Sequence, residues 1–159
     1  MPGGVTTDLG GAPRFVGTVD MGAYEVQEAP PPAIIYVDAD AAGANDGLSW
    51  TSAFNDLQDA LTWAVDGVQI WVAEGTYLPT SNTDRTATFQ LVSGVGLFGG
   101  FTGIETSREE RDWQANPAVL SGNLGDPGDV SDDSYHVVTG SGTDAGACLL
   151  YTSDAADDN

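Results

Sequence analysis

Lysine is absent from this 159-residue chain, and all of its basic side chains are four arginines. With 24 acidic residues, the formal net charge is −20 at pH 7. Binding to nucleic acid or to an anionic membrane surface depends on clustered Lys and Arg that neutralise phosphate charge. We therefore expect no nucleic-acid partner. The acid excess has two interpretations, which are solvation of the folded surface and chelation of Ca²⁺ in an extracellular setting.

Histidine and cysteine are also scarce, with one of each, His136 and Cys148. A lone cysteine forms no disulfide framework, and these two residues are too few for a zinc site. A nucleophilic triad would need His136 as its base. This histidine lies in a strand-like segment, YHVVTG, where we expect its side chain to be satisfied within the wall of the fold. Long apolar runs are missing as well, so we expect no membrane insertion.

Short apolar runs occur instead. The segment Val68–Thr80 places the run Ile70–Ala73 before a Glu-Gly break. Similar runs occupy residues 87–92, 95–101, 118–120 and 135–139. They recur at intervals of about 20 residues with Gly, Asp and Asn turns between them, which is typical of coiled solenoids of short strands. The sequence therefore predicts an all-β solenoid.

Two helical segments are expected beside these strands. The longer one covers residues 52–65, with Ser52 placed to cap its N-terminus. Its apolar positions fall on one stripe, formed by Phe54, Leu57, Leu61 and Ala64. Such a helix would cap the open end of a solenoid. A shorter helical turn is expected within residues 104–116, capped by Ser107 and stopped by Pro117.

A proline-rich linker divides the chain. Residues 28–33 read EAPPPA, and three consecutive prolines favour an extended segment. Before it, residues 1–27 contain DLGGAPR followed by VDMGAYE. This pattern resembles the choice-of-anchor Q type segment of bacterial β-helix proteins, where it closes the last coils. The resemblance implies that residues 1–27 are the C-terminal end of a preceding β-helix or anchor module.

A longer resemblance covers roughly residues 34–140. It is carried, in order, by IYVDADAAGANDGLSW, IWVAEGTYLPT, GLFGGFTGIET, RDWQANPAVLSGNLG and YHVV. This order resembles the N-terminal part of bacterial right-handed parallel β-helix proteins, which have the pectin-lyase-like fold. The resemblance implies that residues 34–147 form the cap, with its short α-helix, and the first coils of a right-handed parallel β-helix.

The same resemblance implies a secreted or cell-surface scaffold with a structural or adhesive role. Its expected partner is extracellular polysaccharide or another component of a cell surface. The alternative is the N-terminal part of a polysaccharide lyase or glycoside hydrolase whose catalytic coils lie outside this sequence. Pectate lyases of this fold use strand Asp residues on Ca²⁺ and an Arg base, but Arg85 lies in an expected loop, and Arg108 and Arg111 in an expected helical turn. We therefore assign no catalytic residue.

Residues 148–159, CLLYTSDAADDN, resemble the translation of a sequencing adapter. We interpret this segment as a non-native tail and leave it out of the fold prediction. Cys148 would then be foreign to the protein. The alternative is a natural acidic tail.

Oxygen ligands are concentrated after the first expected strand, at Asp38, Asp40, Asn45 and Asp46. Hard oxygen ligands suit Ca²⁺, so these four residues are a candidate calcium site, although their spacing is not that of an EF-hand. Turn chemistry is the alternative, because Asp, Asn and Gly favour tight turns. A second acidic loop contains Asp126, Asp129, Asp132 and Asp133.

The tryptophans are candidates for stacking on sugars where they are exposed. Trp71 lies in the most apolar run and Trp63 on the expected helix, so we expect both to pack in the core or cap. Trp50 and Trp113 flank turns and are the candidates for exposure.

Overall fold

The computed structural model describes residues 33–126, 128–144 and 146–150, all within the compact unit Pro31–Asn159. The anchor-like segment 1–27, nearly all of the linker 28–33 and residues 151–159 of the tail lie outside the described residues. The interpretations given to those segments stay predictions.

The described part of the chain forms eight short strands, one α-helix and two 3-10 turns. The strands are β1 (Ile34–Val37), β2 (Gln69–Ala73), β3 (Gly75–Tyr77), β4 (Phe89–Gln90), β5 (Gly96–Phe101), β6 (Ala118–Leu120), β7 (Val138–Thr139) and β8 (Cys148–Leu150). The helix α1 spans Leu57–Trp63, and the 3-10 turns span Trp50–Ser52 and Arg108–Glu110. No helix in these ranges is both long and apolar enough to cross a bilayer.

The strands pair in parallel and form three sheets, ordered β1-β2-β5-β8, β3-β6 and β4-β7. In the four-stranded sheet, Ile35 pairs with Ile70, and Ile70 pairs with Leu97. Because side chains alternate between the two faces of a strand, these three residues point to the same side. All three are buried. The register therefore brings core residues from distant parts of the chain into one row.

The predicted all-β solenoid, a right-handed parallel β-helix, is wrong. The described residues form three small parallel sheets with few strands, are 24% strand and 11% helix, and contain no detected solenoid. Strand length gives the physical reason. The apolar runs at 87–92 and 135–139 each yield a strand of only two residues. Side chains satisfy much of the intervening backbone, as where Gln58 Nε2 donates to the carbonyls of Pro79 and Thr88 at 2.8 and 2.9 Å.

The helix begins later than predicted and has a different cap. Asp56 caps α1, and its Oδ1 accepts a hydrogen bond from the N–H of Gln58 at 2.8 Å. The predicted cap, Ser52, instead lies in the 3-10 turn that Ser49 caps. The prediction of a helix here is therefore confirmed, and its bounds at 52–65 are wrong.

Pairing with β1 delays the start of the helix. The N–H of Phe54 donates to the carbonyl of Tyr36, and the N–H of Asp38 donates to the carbonyl of Phe54, both at 2.9 Å. Phe54 thus forms an isolated parallel bridge with Val37 and is not available to a helical turn. The predicted apolar stripe is nevertheless buried at all four positions: Phe54, Leu57, Leu61 and Ala64.

The main core lies between α1 and the inner face of the four-stranded sheet. Its largest fully buried side chains are Val37, Leu57, Ile70, Val72, Phe89 and Leu97. Burying an aliphatic or aromatic side chain of this size contributes about 1.5–3 kcal/mol. This core holds the helix against the sheet and so fixes the loops at either end of α1.

A second, aromatic cluster covers the outer face of the same sheet. Trp71, Phe98 and Phe101 are buried in it, with Tyr36 and Trp50 packed at its margin. The rings of Trp71 and Phe101 stack with centroids 4.8 Å apart and planes 7° apart. Trp50 was expected to be exposed, but its Nε1–H donates to the carbonyl of Glu105 at 2.8 Å and its ring is half-buried. The prediction for Trp71 is confirmed and that for Trp50 is wrong.

Candidate functional site

The four candidate calcium ligands lie in the loop after β1, where hydrogen bonds to backbone N–H groups use side-chain oxygens of three of them. Asp38 Oδ1 accepts from the N–H of Asp40 at 2.9 Å, and Asp46 Oδ1 accepts from the N–H of Leu48 at 3.0 Å. Asn45 has a φ of 55°, the left-handed region that Asn tolerates. Its Oδ1 accepts from the N–H of Asn55 at 2.8 Å. Asp38 and Asp46 therefore stabilise local turns, and Asn45 links the loop to Asn55.

Asn55 holds this loop from the far side. Its Nδ2 donates to the carbonyls of Asp38, Ala39 and Ala41 at 3.0, 3.3 and 2.8 Å. The amide group occupies the point where these carbonyls converge, which is also where a cation coordinated by them would lie. In the part of the chain that the structure describes, no three or more His, Cys, Asp or Glu side chains are grouped to hold a metal. The calcium site stays a prediction.

The neighbouring groove is lined by the same loop, the start of α1, the strand β3 and the segment after it. It has a volume of about 180 Å³ and opens to solvent. Its lining residues are Ala39, Asn55, Asp56, Thr76, Tyr77, Leu78, Thr80 and Ser81. Sequence reasoning missed this groove, because its walls come from three segments that lie 16 and 20 residues apart and no motif joins them.

Hydrogen bonds fix the walls of the groove. Gln58 fastens the segment after β3 through the carbonyls of Pro79 and Thr88. Tyr77 is buried, and its hydroxyl donates to the carbonyl of Ala73 at 3.1 Å. Burial raises the pKa of Tyr77 above its ordinary value, and the nearby carboxylates of Asp38 and Asp40 raise it further. The hydroxyl is therefore neutral at physiological pH, and the groove lies in a field of negative charge.

Arg85 organises the second acidic loop. Its Nε donates to the carbonyl of Asp133 at 2.6 Å, and its guanidinium lies 4.5 Å from the ring centroid of Tyr135. Asp132 Oδ2 accepts from the N–H of Asp126 at 2.9 Å. Three buried side-chain oxygens have no hydrogen-bond partner among the described residues: Asp132 Oδ1, Asp133 Oδ1 and Ser134 Oγ. Arg85 thus binds two backbone carbonyls of this loop, those of Asp133 and Val130, beside the turn bonds within the loop itself.

The carboxyl groups with a clear pKa shift all move downward. Partial burial alone would raise the pKa of Glu105, but hydrogen bonds from Thr102, from its own backbone N–H and from Ile104 lower it. Hydrogen bonds from Thr86, Ser107 and Ser131 lower the pKa of Asp84, Glu109 and Asp129 respectively. A general acid for glycoside hydrolysis needs a raised pKa instead. These four carboxylates are structural acceptors.

The remaining candidate residues lie on the surface. His136 is exposed, so the expectation that it is satisfied within the wall of the fold is wrong. Trp63 was expected to pack in the cap, yet 67% of its surface is exposed while its ring lies 6.2 Å from that of Phe54. Trp113 is 43% exposed, as predicted, and Tyr135 is 62% exposed. Among the described residues, the exposed Trp and Tyr rings are therefore Trp63, Trp113 and Tyr135.

Comparison with known proteins gave no relative: no protein-family model, no curated protein and no solved structure matches this chain.

Proposed function

We propose that residues 33–150 belong to a binding scaffold, secreted or at a cell surface, that contacts neutral polysaccharide. The single observation that carries the proposal is the exposure of three large aromatic rings, Trp63, Trp113 and Tyr135, on a framework whose loops are fastened by hydrogen bonds. The C–H groups on one face of a sugar ring form an apolar patch that packs on such rings, while Trp and Tyr retain a polar group for hydroxyls.

The surroundings of each ring support a preformed contact. Trp63 is the last residue of α1, and its ring lies 6.2 Å from that of Phe54. Tyr135 lies under the guanidinium of Arg85, which the carbonyls of the acidic loop hold in place. Trp113 lies against Gly100, whose φ is +100°. A Cβ added at Gly100 would lie only 2.9 Å from the backbone of Trp113, so this position requires glycine. Rings fixed in this way lose little conformational entropy on binding.

The charge of the chain supports a neutral ligand. A net charge of −20 repels anionic polysaccharides at long range. A neutral polysaccharide carries no charge and is not repelled in this way. The structural use of the shifted carboxylates supports binding in preference to acid-base chemistry at those groups.

Calorimetric titration of the full chain with neutral dextran or xyloglucan, beside anionic polygalacturonate, tests the proposal. We expect binding of a neutral polymer. Each of Trp63→Ala, Trp113→Ala and Tyr135→Ala should weaken it by about 0.5–1.5 kcal/mol, which is about 2- to 12-fold. Val130→Ala is the matched control, since Val130 is exposed but not aromatic. Binding that is unchanged in all three aromatic variants would contradict the proposal.

A further inference from the structure

We propose that the groove between the loop after β1, the start of α1 and the segment after β3 binds one neutral sugar residue. This inference rests on the proposed function and assigns one sugar-binding subsite within it. The groove's volume of about 180 Å³ equals that of roughly six waters in the liquid, which is room for one pyranose ring.

The groove contains hydrogen-bonding groups that the fold leaves unused. The side chains of Thr76 and Ser81 are exposed and make no hydrogen bond to any described residue. Asp56 uses Oδ1 to cap α1, and its Oδ2 makes no hydrogen bond to any described residue. Two hydroxyls and a carboxylate oxygen provide both donors and acceptors, and sugar hydroxyls require both.

Leu78 supplies the apolar part of the site. It lines the groove, lies between Thr76 and Ser81 in the sequence, and is 37% exposed. An apolar side chain beside hydroxyls suits a sugar ring, whose C–H faces and hydroxyl rim differ in polarity in the same way. A small cation is less well suited to this groove, because it would lose part of its hydration beside Leu78. Asp56 is the only acid among the lining residues, so no second carboxylate would offset that loss.

The walls are preformed, which favours binding of a small ligand. Asn55 fixes the loop after β1, Gln58 fixes the segment after β3, and buried Tyr77 forms part of the wall between them. A site held in this way avoids the cost of ordering loops when the ligand binds. The carboxylates of Asp38 and Asp40 nearby disfavour anionic sugars.

Chemical-shift mapping by NMR on the full ¹⁵N-labelled chain tests this site. The probes are methyl glucopyranoside, methyl galactopyranoside and methyl mannopyranoside, with galacturonate as an anionic probe and N-acetyl-lysinamide as a cationic probe. We expect at least one neutral probe, at millimolar concentration, to shift the amides of Thr76, Leu78 and Ser81. The dissociation constant should rise about 2- to 12-fold in Thr76→Val and in Ser81→Ala, the range expected for one hydrogen bond.

The matched control is Thr106→Val, an exposed threonine outside the groove, which should leave the dissociation constant unchanged. Asp56→Asn tests the carboxylate while keeping a good N-cap residue, and it should weaken binding in a chain that remains folded.

Shifts confined to the surroundings of Trp63, Trp113 and Tyr135 would overturn the groove site and leave the proposed function standing. A groove that responds to N-acetyl-lysinamide alone would also overturn it, because its ligand would then be a cation. No response to any sugar anywhere would overturn both proposals.

Discussion

At the scale of single residues, one amide organises the loop after β1. Asn55 donates through Nδ2 to three carbonyls and through its backbone N–H to Asn45. The candidate calcium ligands Asp38 and Asp46 take part in the same loop through turn bonds, and Asn45 through the bond from the N–H of Asn55. The loop and the adjoining groove therefore depend on a neutral side chain that links segments 14–17 residues apart.

Replacing this amide should destabilise the protein. Asn55→Ala removes the Nδ2 bonds and leaves three converging carbonyls to find water, so we expect the free energy of unfolding to fall by about 1–2 kcal/mol. Urea denaturation followed by circular dichroism measures the change. Asn116→Ala is the control, since that side chain makes no hydrogen bond to a described residue, and it should cost less than about 0.5 kcal/mol. Equal effects of the two substitutions would contradict the role of Asn55.

The sequence could identify the residues of this loop but not their partners. A cluster of Asp and Asn after a strand predicts either a cation site or tight turns, and composition does not decide between them. The deciding partner, Asn55, lies beside the helix cap Asp56, and its acceptors are backbone carbonyls, which have no sequence signature. The groove was missed for the same reason.

At the scale of elements, the segment 102–116 closes the outer aromatic cluster. Glu105 pins its first turn by accepting from the N–H groups of Thr102, Gly103 and Ile104 and from the hydroxyl of Thr102. The guanidinium of Arg108 lies 5.0 Å from the ring centroid of Phe98. A carboxylate and a cation thus hold an otherwise irregular segment over the sheet.

The contribution of Glu105 should depend on pH. Because the pKa of Glu105 is lower in the folded protein than in the unfolded chain, its ionised form stabilises the fold above the unfolded value of about 4.3. That stabilisation is lost as the pH falls through the folded pKa. Glu105→Gln should therefore destabilise the protein at pH 7, and the difference from the parent chain should shrink at pH 3. Urea denaturation at both pH values tests this, with Glu74→Gln as the control, an exposed glutamate whose side chain makes no hydrogen bond to a described residue. A difference that does not change with pH would contradict it.

The two serine caps show what local patterns can predict. The predicted cap by Ser107 is confirmed, and Ser107 with Glu110 forms a complete capping box, although the helical part is only the 3-10 turn Arg108–Glu110. Ser52 was also predicted to cap a helix, but Phe54 two residues later pairs with β1 and prevents the helix from starting there. Local capping preferences hold where no strand competes for the same backbone groups.

At the scale of the whole molecule, the periodic apolar runs predicted the positions of strands. They did not predict how the strands assemble into sheets. The run Ile70–Ala73 lies within β2 and Val95–Phe101 contains β5, and these two strands pair in parallel. The solenoid prediction failed because a repeat of apolar runs does not set strand length. Side chains such as Gln58 and Arg85 satisfy the backbone carbonyls between strands without extending the ladders.

Acrylamide quenching of tryptophan fluorescence in the full chain, with and without saturating neutral polysaccharide, tests the central claim most directly. Trp63 and Trp113 are exposed, whereas Trp71 is buried and Trp50 half-buried, so the exposed pair should dominate the quenchable signal. We predict that the neutral polymer protects this signal, that polygalacturonate does not, and that a Trp63→Ala/Trp113→Ala protein shows no protection. Quenching that stays the same in saturating neutral polysaccharide would contradict a scaffold that contacts sugars through its exposed rings.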